Sequence, residues 1–214
     1  MLKNDLDTLR KHAEEGDPEA QYDLAGLYYN ADGVEKDYDE AAKWLHKAAE
    51  QGHSRAQCNL GVYYHNIRTD YCEAVKWYQK AADQSNMLAQ YNLGLCFDSG
   101  EGVKKDETEA VKWYRKAADQ GYAEAQYNLG CCLLFGNGVE KDETEAVTWF
   151  QKAAQQGYAE AQHYLGYCLF SGTGVEKDET EAVTWFRKAA VQGNAEAQYD
   201  LGYCLAFIAI GIYH

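Results

Sequence analysis

The sequence predicts an all-α solenoid, a stack of helix pairs, and three observations carry that expectation. One phrase recurs every 36 residues, with the same alanine at Ala89, Ala125, Ala161 and Ala197. Glycine-rich turns interrupt the long copies at Gly100-Glu-Gly102, Gly136-Asn-Gly138 and Gly172-Thr-Gly174. The five tryptophans, Trp44, Trp77, Trp113, Trp149 and Trp185, fall one to each copy, in its second half. A period of this length marks units that bury their apolar faces on one another, since none can do so alone.

Taken in order, residues 1–16 form an N-terminal cap. Lys11-His-Ala-Glu-Glu-Gly16 matches Lys47-Ala-Ala-Glu-Gln-Gly52, the end of a second helix. Repeats follow at 17–52, 53–85, 86–121, 122–157 and 158–193, with a half repeat at 194–214. The first helix of each, helix A, is typified by Ala123 to Phe135. There Ala125, Leu129 and Leu133 are spaced by four, and Cys132 widens the same apolar side. The next position is small throughout (Ala25, Gly61, Gly94, Gly130, Gly166, Gly202), which lets a neighbouring helix approach closely. Glycine then ends the helix, because positive φ is cheap there.

Helix B begins at an aspartate with a glutamate three residues on: Asp37 and Glu40, Asp70 and Glu73, Asp106 and Glu109, Asp142 and Glu145, Asp178 and Glu181. That spacing has the form of a capping box, and its acidity suits the positive end of the helix dipole. The B stripe of repeat four is Ala146, Trp149, Phe150 and Ala153, closed by Gly157. The tryptophans read as packing residues. Repeat two is three residues short, with Asn66-Ile-Arg-Thr in place of the glycine turn and Ser85 in place of the closing glycine.

Composition narrows the function classes. The net charge of −14 opposes non-specific nucleic-acid binding and docking on an anionic membrane. No apolar run reaches the roughly 20 residues of a membrane span. The start, Met1-Leu-Lys-Asn-Asp-Leu-Asp, lacks the basic and apolar regions of a signal peptide. The single proline, Pro18, leaves no Pro-rich linker, so one domain is expected. Of seven cysteines, Cys96, Cys132, Cys168 and Cys204 are one repeat position seen four times. They read as reduced apolar fillers in a cytoplasmic protein, not as a disulfide framework. No histidine shares metal-ligand spacing with cysteines or carboxylates, and no phosphate loop or nucleophile elbow is present. No cofactor and no catalytic residue is expected.

The pattern Ala-x-Ala-Gln-Tyr-Asn-Leu-Gly, Gly-x-Gly-Val-x-Lys-Asp, Ala-x-x-Trp-x-x-Lys-Ala-Ala-x-Gln-Gly resembles the Sel1-like repeat, a relative of the tetratricopeptide repeat. The likeness spans residues 17–207. It implies a right-handed superhelix of antiparallel helix pairs and adaptor functions. One branch of the family comprises secreted, cysteine-rich proteins with a disulfide in each repeat, some acting on β-lactams. The chain departs from that branch, since its helix-A cysteine has no regular partner on helix B.

If the A helices line the concave face, as in related superhelices, their ladders show the binding surface. One ladder is Tyr22, Cys58, Tyr91, Tyr127, His163 and Tyr199, and a second is Asp23, Asn59, Asn92, Asn128, Tyr164 and Asp200. A third is Gly26, Val62, Leu95, Cys131, Tyr167 and Tyr203, and a fourth is Tyr29, His65, Asp98, Leu134, Phe170 and Ala206. Side-chain amides read a peptide backbone, and tyrosines give rigid contact area with a hydroxyl. The reading is a non-enzymatic adaptor holding a protein or peptide on Tyr91, Asn92, Tyr127, Asn128, Cys131, Leu134, His163, Tyr164, Tyr167, Phe170, Tyr199 and Tyr203. The C-terminal half gains large apolar residues, Leu134, Phe135, Tyr164, Tyr167, Phe170, Tyr203 and Phe207, and reads as the stickier half of the groove. The alternatives are a β-lactam-acting enzyme and a fragment of a larger adaptor. The apolar end, Phe207, Ile208, Ile210, Ile212 and Tyr213, is expected to support homo-oligomerisation.

Overall fold

In a computed structural model the backbone is described for residues 3–211 and the side chains for residues 5–206. The described residues form twelve helices and no strands. The cap is α1 (Lys3–Glu14). The A helices are α2 (Pro18–Asn30), α4 (Ser54–Asn66), α6 (Met87–Ser99), α8 (Ala123–Phe135), α10 (Ala159–Ser171) and α12 (Ala195–Gly211). The B helices are α3 (Tyr38–Glu50), α5 (Tyr71–Asp83), α7 (Glu107–Asp119), α9 (Glu143–Gln155) and α11 (Glu179–Val191). The chain divides into two compact units, Met1–Lys105 and Asp106–His214. Within each, every helix packs on the next in sequence, the arrangement of a helical solenoid. The core of the first unit runs from Ala13 through Leu24, Trp44, Leu45 and Leu60 to Trp77.

The small helix-A position does what its size predicts. A Cβ on Gly130 would lie 2.6 Å from Phe150, and one on Gly166 2.8 Å from Phe186, so the B helix sits directly against the A backbone. The turn glycines add a second close approach. Gly138 has φ +68°, and a Cβ there would overlap the Glu107 carbonyl at the start of α7. Gly174 meets Glu143 in the same way. Positive φ and contact with backbone together leave no room for a side chain. Repeat two dispenses with this turn: Thr69 takes φ +52° and the Asp70 N–H donates to the Tyr64 carbonyl.

The B-helix starts are caps but not complete capping boxes. The Asp142 carboxylate accepts from the Glu145 N–H at 2.8 Å, and Asp37, Asp70, Asp106 and Asp178 do the same in their repeats. The return bond is absent because the aspartate N–H is already taken. Asp142 N–H donates to the Leu133 carbonyl and Asp178 N–H to Leu169, each at 2.9 Å. Each glutamate is thereby released for other partners. Glu40, Glu73 and Glu109 pair at 2.7 Å with Lys43, Lys76 and Lys112. In the last two repeats that lysine is Thr148 or Thr184. There the glutamate accepts from the tryptophan instead, Trp149 Nε1 to Glu145 at 3.0 Å and Trp185 Nε1 to Glu181 at 3.1 Å. Trp44, Trp77 and Trp113 have buried Nε1 atoms with no acceptor. In every B helix a lysine ammonium also lies over the tryptophan ring, 3.7 Å from its centre at Trp44 and Trp149.

One structural device escaped the sequence reading. Gln21, Gln57, Gln90, Gln126 and Gln162 are buried, one on each of the first five A helices. Each donates to a carbonyl eight residues back, at the end of the preceding helix: Gln126 to Ala118 at 3.2 Å, Gln162 to Ala154 at 3.1 Å. The glutamine oxygen accepts in turn from a second glutamine, Gln156 to Gln126 and Gln192 to Gln162, both at 2.8 Å. The orphan carbonyls that end a helix are satisfied from the next one. The signal was present in sequence as an invariable Ala-Gln pair.

Candidate functional site

Among the described residues the A-helix ladders border a hollow in each unit. In the second unit the ladder residues largely pack on each other. Tyr164 is at the centre, with ring centres 5.5 Å from Tyr127, 5.3 Å from Phe150, 6.5 Å from Phe135 and 5.6 Å from His163. Cys131 lies within the same half-buried cluster, and burial pushes its thiol up to about 11. Burial likewise raises the Tyr127 hydroxyl. His163 meets Asp200 at 2.8 Å on α12. Beyond this cluster lies an open hollow of about 580 Å³, bounded by Phe135, His163, Tyr164, Tyr167, Tyr199 and Asp200.

The expected site residues therefore divide. His163, Tyr164, Tyr167 and Tyr199 share the second-unit hollow, with Tyr199 75% exposed. Tyr203 is 54% exposed and packs against half-buried Phe170, ring centres 6.3 Å apart. Tyr127, Asn128 and Cys131 are half-buried, and Tyr127 and Cys131 belong to the aromatic cluster. Leu134 is buried rather than on the surface, because α8 turns that side chain into the core. Tyr91 and Asn92 are half-buried in the first unit. Phe207, Ile208 and Ile210 lie on α12 beyond the described side chains, and Ile212 and Tyr213 lie outside the described residues.

The larger of these hollows is in the first unit, about 760 Å³, bordered by α1, α2, α3 and α4. Its cause is local. Gly26 stands where the other repeats carry Val62, Leu95, Cys131, Tyr167 or Tyr203, and a Cβ there would meet nothing within 4 Å. Ala42 on α3 stands where the others carry Val75, Val111, Val147 or Val183. These two small residues leave a space that four tyrosines surround: Tyr22, Tyr29, Tyr38 and Tyr63. Two of their hydroxyls are tied at the edges. Tyr63 donates to Asp39 at 2.7 Å, and Tyr22 accepts from Asn59 at 3.3 Å. The ladders already included Tyr22, Asp23, Gly26, Tyr29, Asn59 and Val62. Gly26 is the signal for a void, and counting aromatic residues alone passed over it.

Four of the cysteines, Cys58, Cys96, Cys168 and Cys204, are buried, and Cys72 is exposed. All seven are free, so no repeat holds a disulfide. Burial raises the Cys58 and Cys168 thiols to about 12 and the Cys96 thiol to about 11, away from the thiolate a nucleophile requires.

The Sel1 repeat pattern matches residues 18–53, 54–86, 88–122, 123–158, 159–194 and 195–207. Among solved structures, c5321, a protective antigen of uropathogenic Escherichia coli strains, is 38% identical with a TM-score of 0.91, over 94% of this chain. This chain spans 44% of that one. A Sel1 repeat protein from Oxalobacter formigenes is 38% identical with a TM-score of 0.79, covering 87% of this chain and 75% of its own. Helicobacter pylori cysteine rich protein B is 26% identical with a TM-score of 0.50, over 64% of this chain and 99% of its own. No curated protein matches the sequence.

Proposed function

The chain belongs to the Sel1 repeat family, and from that premise we propose that it is a non-enzymatic scaffold whose A helices hold a protein or peptide partner. The observation that carries the reading is the contrast between spent and unspent side chains. The repeated Ala, Leu, Gly, Trp and Gln positions are consumed by packing and capping. Large exposed side chains gather on the A helices: Tyr29 at 48% exposure, Tyr167 at 48% and Tyr199 at 75%. Rigid amphipathic rings beside amides and carboxylates are the composition of a protein-binding surface. The raised thiols supply no nucleophile for acyl transfer, which weighs against the β-lactam reading.

Photo-cross-linking tests this. A benzophenone amino acid is placed at Tyr29 or Tyr199, and in a control at Thr148 on the exposed side of α9. The expected result is a discrete cross-linked protein from positions 29 and 199 and none from 148. Cross-linking from 148 alone, or equally from all three, overturns the assignment to the A helices.

A further inference from the structure

The first-unit hollow has a chemistry distinct from its shape. Among the described residues its walls carry the carboxylates Asp5, Asp23 and Asp32, four tyrosines and no lysine, arginine or histidine. Cations nearby are held outside it. Arg55 is bound to Glu19 and stacks over Tyr22 with its guanidinium carbon 4.6 Å from the ring centre. The Lys36 ammonium lies 4.8 Å from the centre of Tyr38. Two of the four rings thus already attract the protein's own cations at the rim. A concave wall of low dielectric focuses the field of its carboxylates into the space within. Tyrosine faces add a cation–π attraction, and the apolar floor of Leu9, Leu45 and Val62 suits a methylene stem.

We propose that this hollow receives an arginine side chain from an exposed segment of a partner protein. Arginine fits better than lysine because its plane stacks on tyrosine while its edge pairs with a carboxylate. The hollow, at about 760 Å³, accommodates the side chain with its flanking apolar neighbours. The scaffold reading is the premise here, and arginine capture specifies one element of it.

The probe is a fluorescein-labelled heptapeptide, Gly-Ser-Leu-Arg-Leu-Ser-Gly, with a counterpart in which glutamate replaces arginine. Fluorescence anisotropy with the full chain should show the arginine peptide binding at least ~10-fold tighter than the glutamate peptide. Gly26→Leu fills the hollow with the residue that repeat three carries as Leu95, and leaves the net charge unchanged. It should weaken the arginine peptide by ~10-fold or more. The Asp23→Asn, Asp32→Asn double variant alters two exposed side chains and keeps the test decisive if Gly26→Leu misfolds. It should cost ~5-fold. Equal binding of the two peptides overturns the proposal. So does arginine-peptide affinity that Gly26→Leu leaves intact in a folded protein, since that is attraction to the overall negative charge. The Tyr199 cross-link separates the two readings: if it persists while the peptide fails, the scaffold stands and arginine capture does not.

Discussion

Repeat one and repeat four are built on the same frame and use it in opposite ways. Both have a 13-residue A helix, an aspartate cap on helix B, a glutamine fastening and a lysine over the tryptophan. In repeat four the ladder is filled: Cys131 occupies the third position and Tyr164 of the next repeat packs onto Tyr127 and Phe150. In repeat one Gly26 and Ala42 leave the equivalent region open, and tyrosines stand around a void. The repeat guarantees the backbone. Whether a ladder becomes core or binding surface depends on side-chain volume at two or three positions.

The comparison breaks first at its aromatic residues. Tyr164→Ala removes a half-buried ring touching four others and should destabilise the protein by about 2 kcal/mol, below the range for a fully buried aromatic. Tyr29→Ala removes a half-exposed ring whose neighbour is Tyr38 at 5.2 Å, and should cost less than about 1 kcal/mol. Urea unfolding followed by circular dichroism measures both. Similar costs at the two sites would mean that the first-unit tyrosines are also core, and the distinction between filled and open ladders would fall.

This division also decides how much could be read beforehand. Periodicity, glycine turns and aspartate caps depend on local spacing, so the helices were legible from sequence. The small position opposite Phe150 was legible for the same reason, because a missing Cβ has one use in a packed helix pair. The site was legible only in part. His163, Tyr164, Tyr167 and Tyr199 do share a hollow, but Tyr127, Cys131 and Leu134 are largely spent on packing. A ladder position says which helix face a residue occupies, and not whether a neighbour fills the space beside it. The first-unit hollow is made by absent atoms, Gly26 and Ala42, and a reading that weights large residues is blind to it. The capping glutamates were misjudged for a related reason, since only the structure shows that Leu133 and Tyr28 have already taken the aspartate N–H groups.

A second prediction transplants one feature of repeat four into repeat one. Lys43 holds Glu40 at 2.7 Å while the buried Trp44 Nε1 has no acceptor. Lys43→Thr reproduces the Thr148 arrangement and frees Glu40 to accept from Trp44. Loss of the exposed pair and of helix propensity together costs roughly 0.8 kcal/mol, while satisfying a buried donor returns about 1–3 kcal/mol. A net gain of about 1 kcal/mol is expected in the urea midpoint, with a shift in tryptophan emission as the indole acquires its partner. A loss of stability would show that the lysine pair, and not the indole, is the better use of that glutamate.

The smallest expected effect concerns the same glutamate position in repeat four, and it depends on pH. Arg115, hydrogen-bonded at 2.5 Å, holds the Glu145 carboxyl below its ordinary value of 4.5, with Trp149 lowering it further. A carboxylate whose folded value is depressed stabilises the fold fully above its unfolded value. That contribution is lost as pH falls below 4.5 and through the folded value. Glu145→Gln keeps an oxygen for Trp149 and removes only the charge. The side chain is 35% exposed, so solvent screening limits the cost at pH 7 to below about 1 kcal/mol. Stability measured for both proteins from pH 7 to pH 3 should converge as the wild-type carboxylate takes up its proton. A difference that stays constant across that range would place the effect in tryptophan packing and not in the Arg115 ion pair. It would also remove the charge from the account of why repeat four satisfies a donor that repeat one leaves open.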